Sequence, residues 1–163
     1  MKNLIKNILF VFFLLSAFSV GAQQNLSIDT IFNEYGKQKG SVLINLGKDV
    51  LAENTKIERY KCLMISAPPE IEKKIAESVG RDFQREEEKE NVLLLKEIQQ
   101  DGAAKTLYFV FDTQNETAER EYILYNVKDD KITLIYMKGK FPVLEWKDEL
   151  DKLKNLFIKL NNK

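Results

Sequence analysis

Apolar residues follow three different rhythms along this chain, and each rhythm predicts a different kind of segment. Residues 8–20 (ILFVFFLLSAFSV) run almost without polar interruption. Lys2 and Lys6 precede this run, Val20, Gly21 and Ala22 close it, and the chain turns polar at Gln23. Charged start, apolar middle and small-residue end together predict a cleavable secretion signal over residues 1–22. A membrane span needs about 20 apolar residues, and this run falls short. No cysteine stands at the expected cleavage point, so a lipid-modified N-terminus is not expected.

The second rhythm is helical. Ile28, Ile31, Phe32 and Tyr35 repeat at three- and four-residue steps, with Ser27 as the expected cap and Gly36 as the stop. Pro68 and Pro69 open a second predicted helix, whose stripe is Ile71, Ile75, Ala76 and Val79 and whose expected stop is Gly80. Ser66 is the expected cap of that helix. Residues 81–91 (RDFQREEEKEN) are strongly charged and predict a solvated extension or connector. A last helix is predicted after Pro142, with Trp146, Leu150, Leu153, Phe157 and Leu160 on one stripe.

The third rhythm is that of strands. Residues 41–46 and 57–66 are rich in β-branched and apolar side chains, with a single helical turn expected over 48–54. Four more strands are predicted over 92–99, 106–112, 120–127 and 132–138. The short links between them, at 100–102, 113–118 and 128–131, imply antiparallel hairpins. The expected architecture is α+β: a single domain over residues 23–163, with a mostly antiparallel sheet of five to six strands and the second and last helices packed on one face.

Composition mainly excludes. The 141 residues after the signal carry 23 basic and 25 acidic side chains, a balance that gives no electrostatic reason to expect nucleic acid or an anionic membrane surface as partner. Histidine is absent, which removes Ser-His-Asp and Cys-His chemistry and His-containing zinc sites. Cys62 is the only cysteine, so no disulfide forms within the chain, and its apolar neighbours predict a buried, inert thiol. No phosphate-binding glycine loop, dinucleotide fingerprint or cysteine metal cluster occurs, and no cofactor is expected.

Two segments resemble a known group. One is the helix ending at 32–40 (FNEYGKQKG) that leads into a strand; the other is the closing hairpin at 129–139 (DDKITLIYMKG), followed by a helix. Together they resemble the small exported domain-of-unknown-function proteins of Bacteroidetes, the forty-two-fifty-two type and its relatives. That resemblance implies a periplasmic or secreted location in a Gram-negative envelope and transfers no catalytic residue. Asp29-Thr30-Ile31 also resembles the acceptor motif for protein O-glycosylation in those bacteria, which makes Thr30 a candidate modification site beside its plain reading as a helix residue.

Three readings of function follow. The first is a non-enzymatic module that binds or regulates an envelope protein, with Tyr108, Tyr122, Tyr125 and Tyr136 as a candidate interaction face. The second is a carrier of a small apolar ligand, and the third a hydrolase that uses carboxylates alone. No membrane span is expected after cleavage. Asp129 and Asp130 are expected to be turn residues, and Glu86, Glu87 and Glu88 a solvated charge run.

Overall fold

A computed structural model describes residues 26–51, 55–100, 102–111 and 119–161. The expected signal over 1–22 and the link at 113–118 lie outside the described residues. The elements in chain order are α1 (Ser27–Tyr35), β1 (Val42–Leu46), a short α2 (Lys48–Leu51), β2 (Ile57–Ser66), α3 (Pro69–Glu87), β3 (Val92–Gln100), β4 (Ala103–Phe111), β5 (Arg120–Lys128), β6 (Lys131–Gly139) and α4 (Trp146–Asn161). A 3-10 turn, Val143–Glu145, leads into α4.

The strands form one six-stranded sheet in the order β1-β2-β6-β5-β4-β3, and every neighbouring pair is antiparallel. The β5–β6 hairpin turns on Asp129 and Asp130, with φ of 51° and 60°. Two consecutive left-handed residues give the turn the hand that matches strand twist, and aspartate tolerates that region better than most side chains. The α+β class and the antiparallel sheet are as the sequence pattern predicted.

The placement of the helices is not. α1 and α3 cover one face of the sheet, where Ile28, Phe32, Ile75 and Val79 pack on Leu63, Phe109, Ile123 and Leu134. α4 covers the opposite face, where Leu153 joins a core of Tyr60, Cys62, Tyr122, Leu124 and Met137. β5 shows why both sides need a lid: Tyr122 and Leu124 point one way, Ile123 and Tyr125 the other, and all four are buried. The exit from β6 decides which face α4 takes. Phe141 stacks on Tyr122, with centroids 4.7 Å apart and planes 8° from parallel, and its carbonyl accepts hydrogen bonds from Arg120 and the Tyr122 hydroxyl. α4 then crosses the sheet from β4, where Trp146 meets Tyr108 at 5.9 Å, to β2, where Phe157 meets Tyr60 at 6.1 Å. Trp146, Leu150, Leu153 and Phe157 all turn inward, while the Leu160 side chain lies outside the described residues.

Three local expectations are corrected. α3 does not stop at Gly80 but runs 19 residues to Glu87. The charged run 81–91 is therefore only partly solvated: Asp82 and Glu86 are fully buried and Phe83 packs edge-on against Phe109 at 5.4 Å. Ser66 does not cap α3; it ends β2, and Pro68 holds the cap position without a side-chain hydrogen bond. Ser27 does not cap α1 either. The helix starts at Ser27, and the Asp82 carboxylate accepts the Ser27 and Ile28 amide hydrogens.

Candidate functional site

A wide opening among the described residues lies where α3 passes over the outer strands. Ile75 and Val79 point into the core and fix the roll of α3. The helix flank one position away is left facing β3 and β4, and there Ala76, Gly80 and Phe83 with Leu107 floor a groove of about 720 Å³. Four glutamates, Glu72, Glu77, Glu87 and Glu97, rim it against a single lysine, Lys73. Glu72 is paired with Lys105, and Glu77 meets Lys73 at 4.0 Å. Glu87 and Glu97 have no cationic partner among the described residues, so the groove mouth presents uncompensated negative charge.

Gly80 gives this groove its depth. It lies in a helix interior, where glycine costs about 1 kcal/mol relative to alanine, and nothing stands within 4 Å of where a Cβ would be. Internal packing therefore gives no reason for a missing side chain. The groove also borders the sheet edge, because β3 is the outermost strand and has no neighbour on its far side among the described residues. Leu93, Leu94 and Ile98 on that strand are 47%, 41% and 48% exposed.

A second groove of about 300 Å³ lies between α4 and the sheet. Leu124, Ile135, Asn126 and Thr133 form its floor, and Trp146 and Leu150 its wall. A third, of about 520 Å³, separates α1 from α3 and is lined mainly by polar side chains, Thr30 and Arg81 among them. Thr30 is exposed, whereas Asp29 is paired with Lys61 at 2.8 Å and Ile31 is buried.

The four tyrosines of the expected interaction face do not share a surface. Tyr125 and Tyr136 lie beneath α1 and α3; Tyr108 and Tyr122 lie on the α4 side. Tyr122, Tyr125 and Tyr136 are buried and Tyr108 half-buried. Burial pushes the Tyr122 hydroxyl up to about 12 and raises the other three as well. Strand alternation puts residues 122 and 125 on opposite faces by parity, which is why a count of tyrosines misled. Cys62 is buried on the α4 side; burial raises its thiol, and a hydrogen bond with Tyr60 offsets only part of that.

The carboxylates gather differently from the expected solvated run. Glu87 and Glu88 are exposed, but Glu86 accepts hydrogen bonds from Arg85, Lys89 and Asn91. Burial alone would raise its carboxyl; these donors outweigh that and hold it below the usual carboxylate range. On β5 and the residues before it, Lys138 meets Glu119 at 3.0 Å and Glu121 at 3.5 Å. The Lys138 hydrogen bond is the main reason the Glu119 carboxyl is lowered, and the charges of Lys138 and Lys140 add to it. A carboxylate held ionised by lysine donates no proton near neutral pH, so this cluster suits charge pairing better than acid catalysis.

Sequence periodicity missed Asp82, Glu86 and the groove rim. Positions 75, 79, 82 and 86 do continue a helical stripe, but two of the four are acids, and an apolar search drops them. Among the described residues no helix is long and apolar enough to cross a membrane. No curated protein matches the chain. A model of a family of unknown function, DUF6108, matches residues 15–153, most of the 163-residue chain, and the chain belongs to that family.

Proposed function

We propose that this chain is a non-enzymatic binding module of a Gram-negative envelope, exported behind residues 1–22, that holds a segment of another protein in the groove between α3 and β3. Kinship with the forty-two-fifty-two type of exported bacterial proteins is part of the same proposal. The observation that carries the binding role is the apolar-floored groove opening directly onto a sheet edge with no neighbour among the described residues. Free edges are usually shortened or covered, and β3 keeps nine residues. The lysine-paired state of Glu119 and Glu121 supports a role without acid catalysis. A photo-crosslinking residue in place of the exposed Gln84, on the groove wall, tests the proposal against one in place of the exposed Lys128, at a distant hairpin. A protein adduct from position 84 and none from position 128 is expected in the cell envelope. Adducts from neither, or equal adducts from both, would remove the groove as a binding site.

A second reading rests on a different opening. The α4 groove combines the Trp146–Tyr108 aromatic pair with Leu124, Ile135 and Leu150, a lining that suits a small apolar ligand, and its 300 Å³ lies at the lower end of the usual range for such sites. An environment-sensitive hydrophobic dye that shifts Trp146 fluorescence on binding would support this carrier role. An unchanged spectrum at saturating dye would end it.

A further inference from the structure

We propose that the edge of β3 accepts a strand of alternating basic and apolar residues as a seventh member of the sheet. This rests on the protein-binding reading of the same groove and names the chemistry of its occupant. The sheet has two edges, and they are unequal. β1 has five residues, whereas β3 has nine. Register shifts interrupt β3 between Leu94 and Lys96 and between Ile98 and Gln99. Bulges of this kind twist an edge and discourage indiscriminate pairing, yet they leave regular stretches at 92–94 and 96–98.

A strand added there sends successive side chains to opposite faces. On the α3 side they enter the groove and meet Glu97, which pairs with Leu107 on that face, and Glu87 across from it. Neither acid has a cationic partner among the described residues, so a lysine or arginine completes a charge pair there. Gly80 and Ala76 leave room for the stem of a long side chain along the floor. On the other face Leu93 pairs with Val110 and Ile98 with Thr106, and both stay about half exposed, while Lys96 between them lies back over the Tyr108 ring at 5.9 Å and Leu95 packs against the α4-side core. Apolar side chains at the alternate positions of the added strand would cover Leu93 and Ile98. Backbone hydrogen bonds supply affinity in strand addition, and alternate pockets supply specificity. Here those pockets demand basic residues on one face and apolar residues on the other.

The test uses a blocked eight-residue peptide of alternating Lys and Val. Its controls are a peptide of the same composition with the lysines in one block, and one with Glu in place of Lys. Binding and hydrogen exchange of the β3 amides are measured on the processed full chain. The alternating Lys peptide is expected to slow exchange at outward-facing β3 amides at least tenfold and to bind at least tenfold tighter than either control. Combining Glu87→Lys with Glu97→Lys, both at exposed positions, is expected to abolish the preference. Equal binding of the alternating and blocked lysine peptides, or unchanged β3 exchange, would overturn strand addition; an adduct at position 84 would still leave protein binding standing. Concentration-dependent β3 protection without peptide would show a second copy on the edge and would also overturn the proposal.

Discussion

Asp82 stands across the start of α1 from Ser27, and its Oδ1 accepts the Ser27 amide hydrogen at 3.0 Å while Oδ2 accepts that of Ile28 at 3.2 Å. The first turn of a helix leaves amide hydrogens without partners, and a side chain from the preceding residue usually meets them. Here the acceptor comes from a helix 55 residues further along the chain. Arg85 approaches the same carboxylate at 3.3 Å. One buried acid therefore ends α1, balances Arg85 and joins the two helices that cover this face of the sheet.

Replacing that carboxylate should loosen α1 selectively. Asp82→Ala removes a cap and buried charge-assisted hydrogen bonds, together about 2–3 kcal/mol. Ser27→Ala should stay within about 0.5 kcal/mol, because only the Ser27 backbone is used. Urea titration separates the two. Comparable losses would return the capping role to the Ser27 hydroxyl.

Glu86 should make stability depend on acid pH. Its folded carboxyl titrates below the unfolded value of about 4.3. The stabilisation it brings is thus complete above that value and is lost as pH falls through the folded pKa. Glu86→Gln is expected to cost about 1–3 kcal/mol at pH 7 and progressively less below pH 4. Melting curves across pH 3–7 for both proteins check this, and a gap that stays constant with pH would contradict it.

Two buried tyrosines should respond in opposite directions. The Tyr125 hydroxyl is buried without a hydrogen-bond partner among the described residues, and it feels the Glu72 carboxylate. Removing an unsatisfied buried hydroxyl relieves a desolvation cost, so Tyr125→Phe should be neutral or stabilising by about 1 kcal/mol. The Tyr122 hydroxyl donates to the Phe141 carbonyl at 3.3 Å, and Tyr122→Phe should cost about 1 kcal/mol. Denaturant midpoints for the pair provide the comparison.

Glycine replacement should distinguish a glycine that packing requires from one that it does not. A Cβ at Gly139 would collide with the Lys56 carbonyl and stand 2.8 Å from the Phe141 ring. Gly139→Ala is therefore expected to destabilise by about 1–3 kcal/mol. Gly80→Ala meets open space in a helix interior and should stabilise by about 0.5–1 kcal/mol. A lowered melting temperature for Gly80→Ala would contradict this.

The elements themselves were legible in the chain because their signals are local. Runs of β-branched and apolar residues marked β2 and β5, the Asp129-Asp130 pair marked a tight hairpin, and the Trp146–Phe157 stripe marked α4. Hairpin pairing carried β4 back to Ala103, through residues with no alternation of their own to announce it. Which face of the sheet a helix takes was harder, because an amphipathic stripe specifies that it packs but not on which side. Strands apolar on both pleat faces, such as 122–125, need covering twice, and only that double requirement points to a second lid. The groove could not be read at all: it depends on where the flank of α3 falls relative to β3, a relation between segments far apart in the chain. Asp82 escaped for a similar reason, since the amides it serves lie on another helix.

Having α4 on its own side of the sheet also makes that face depend on one segment. The helices over the first face, α1 and α3, precede β3 to β6 in the chain, whereas α4 follows all six strands. A chain halted before residue 146 would present Tyr60, Leu124 and Met137 as a bare apolar plate, and truncated or C-terminally nicked molecules should therefore clump while the intact protein stays dispersed.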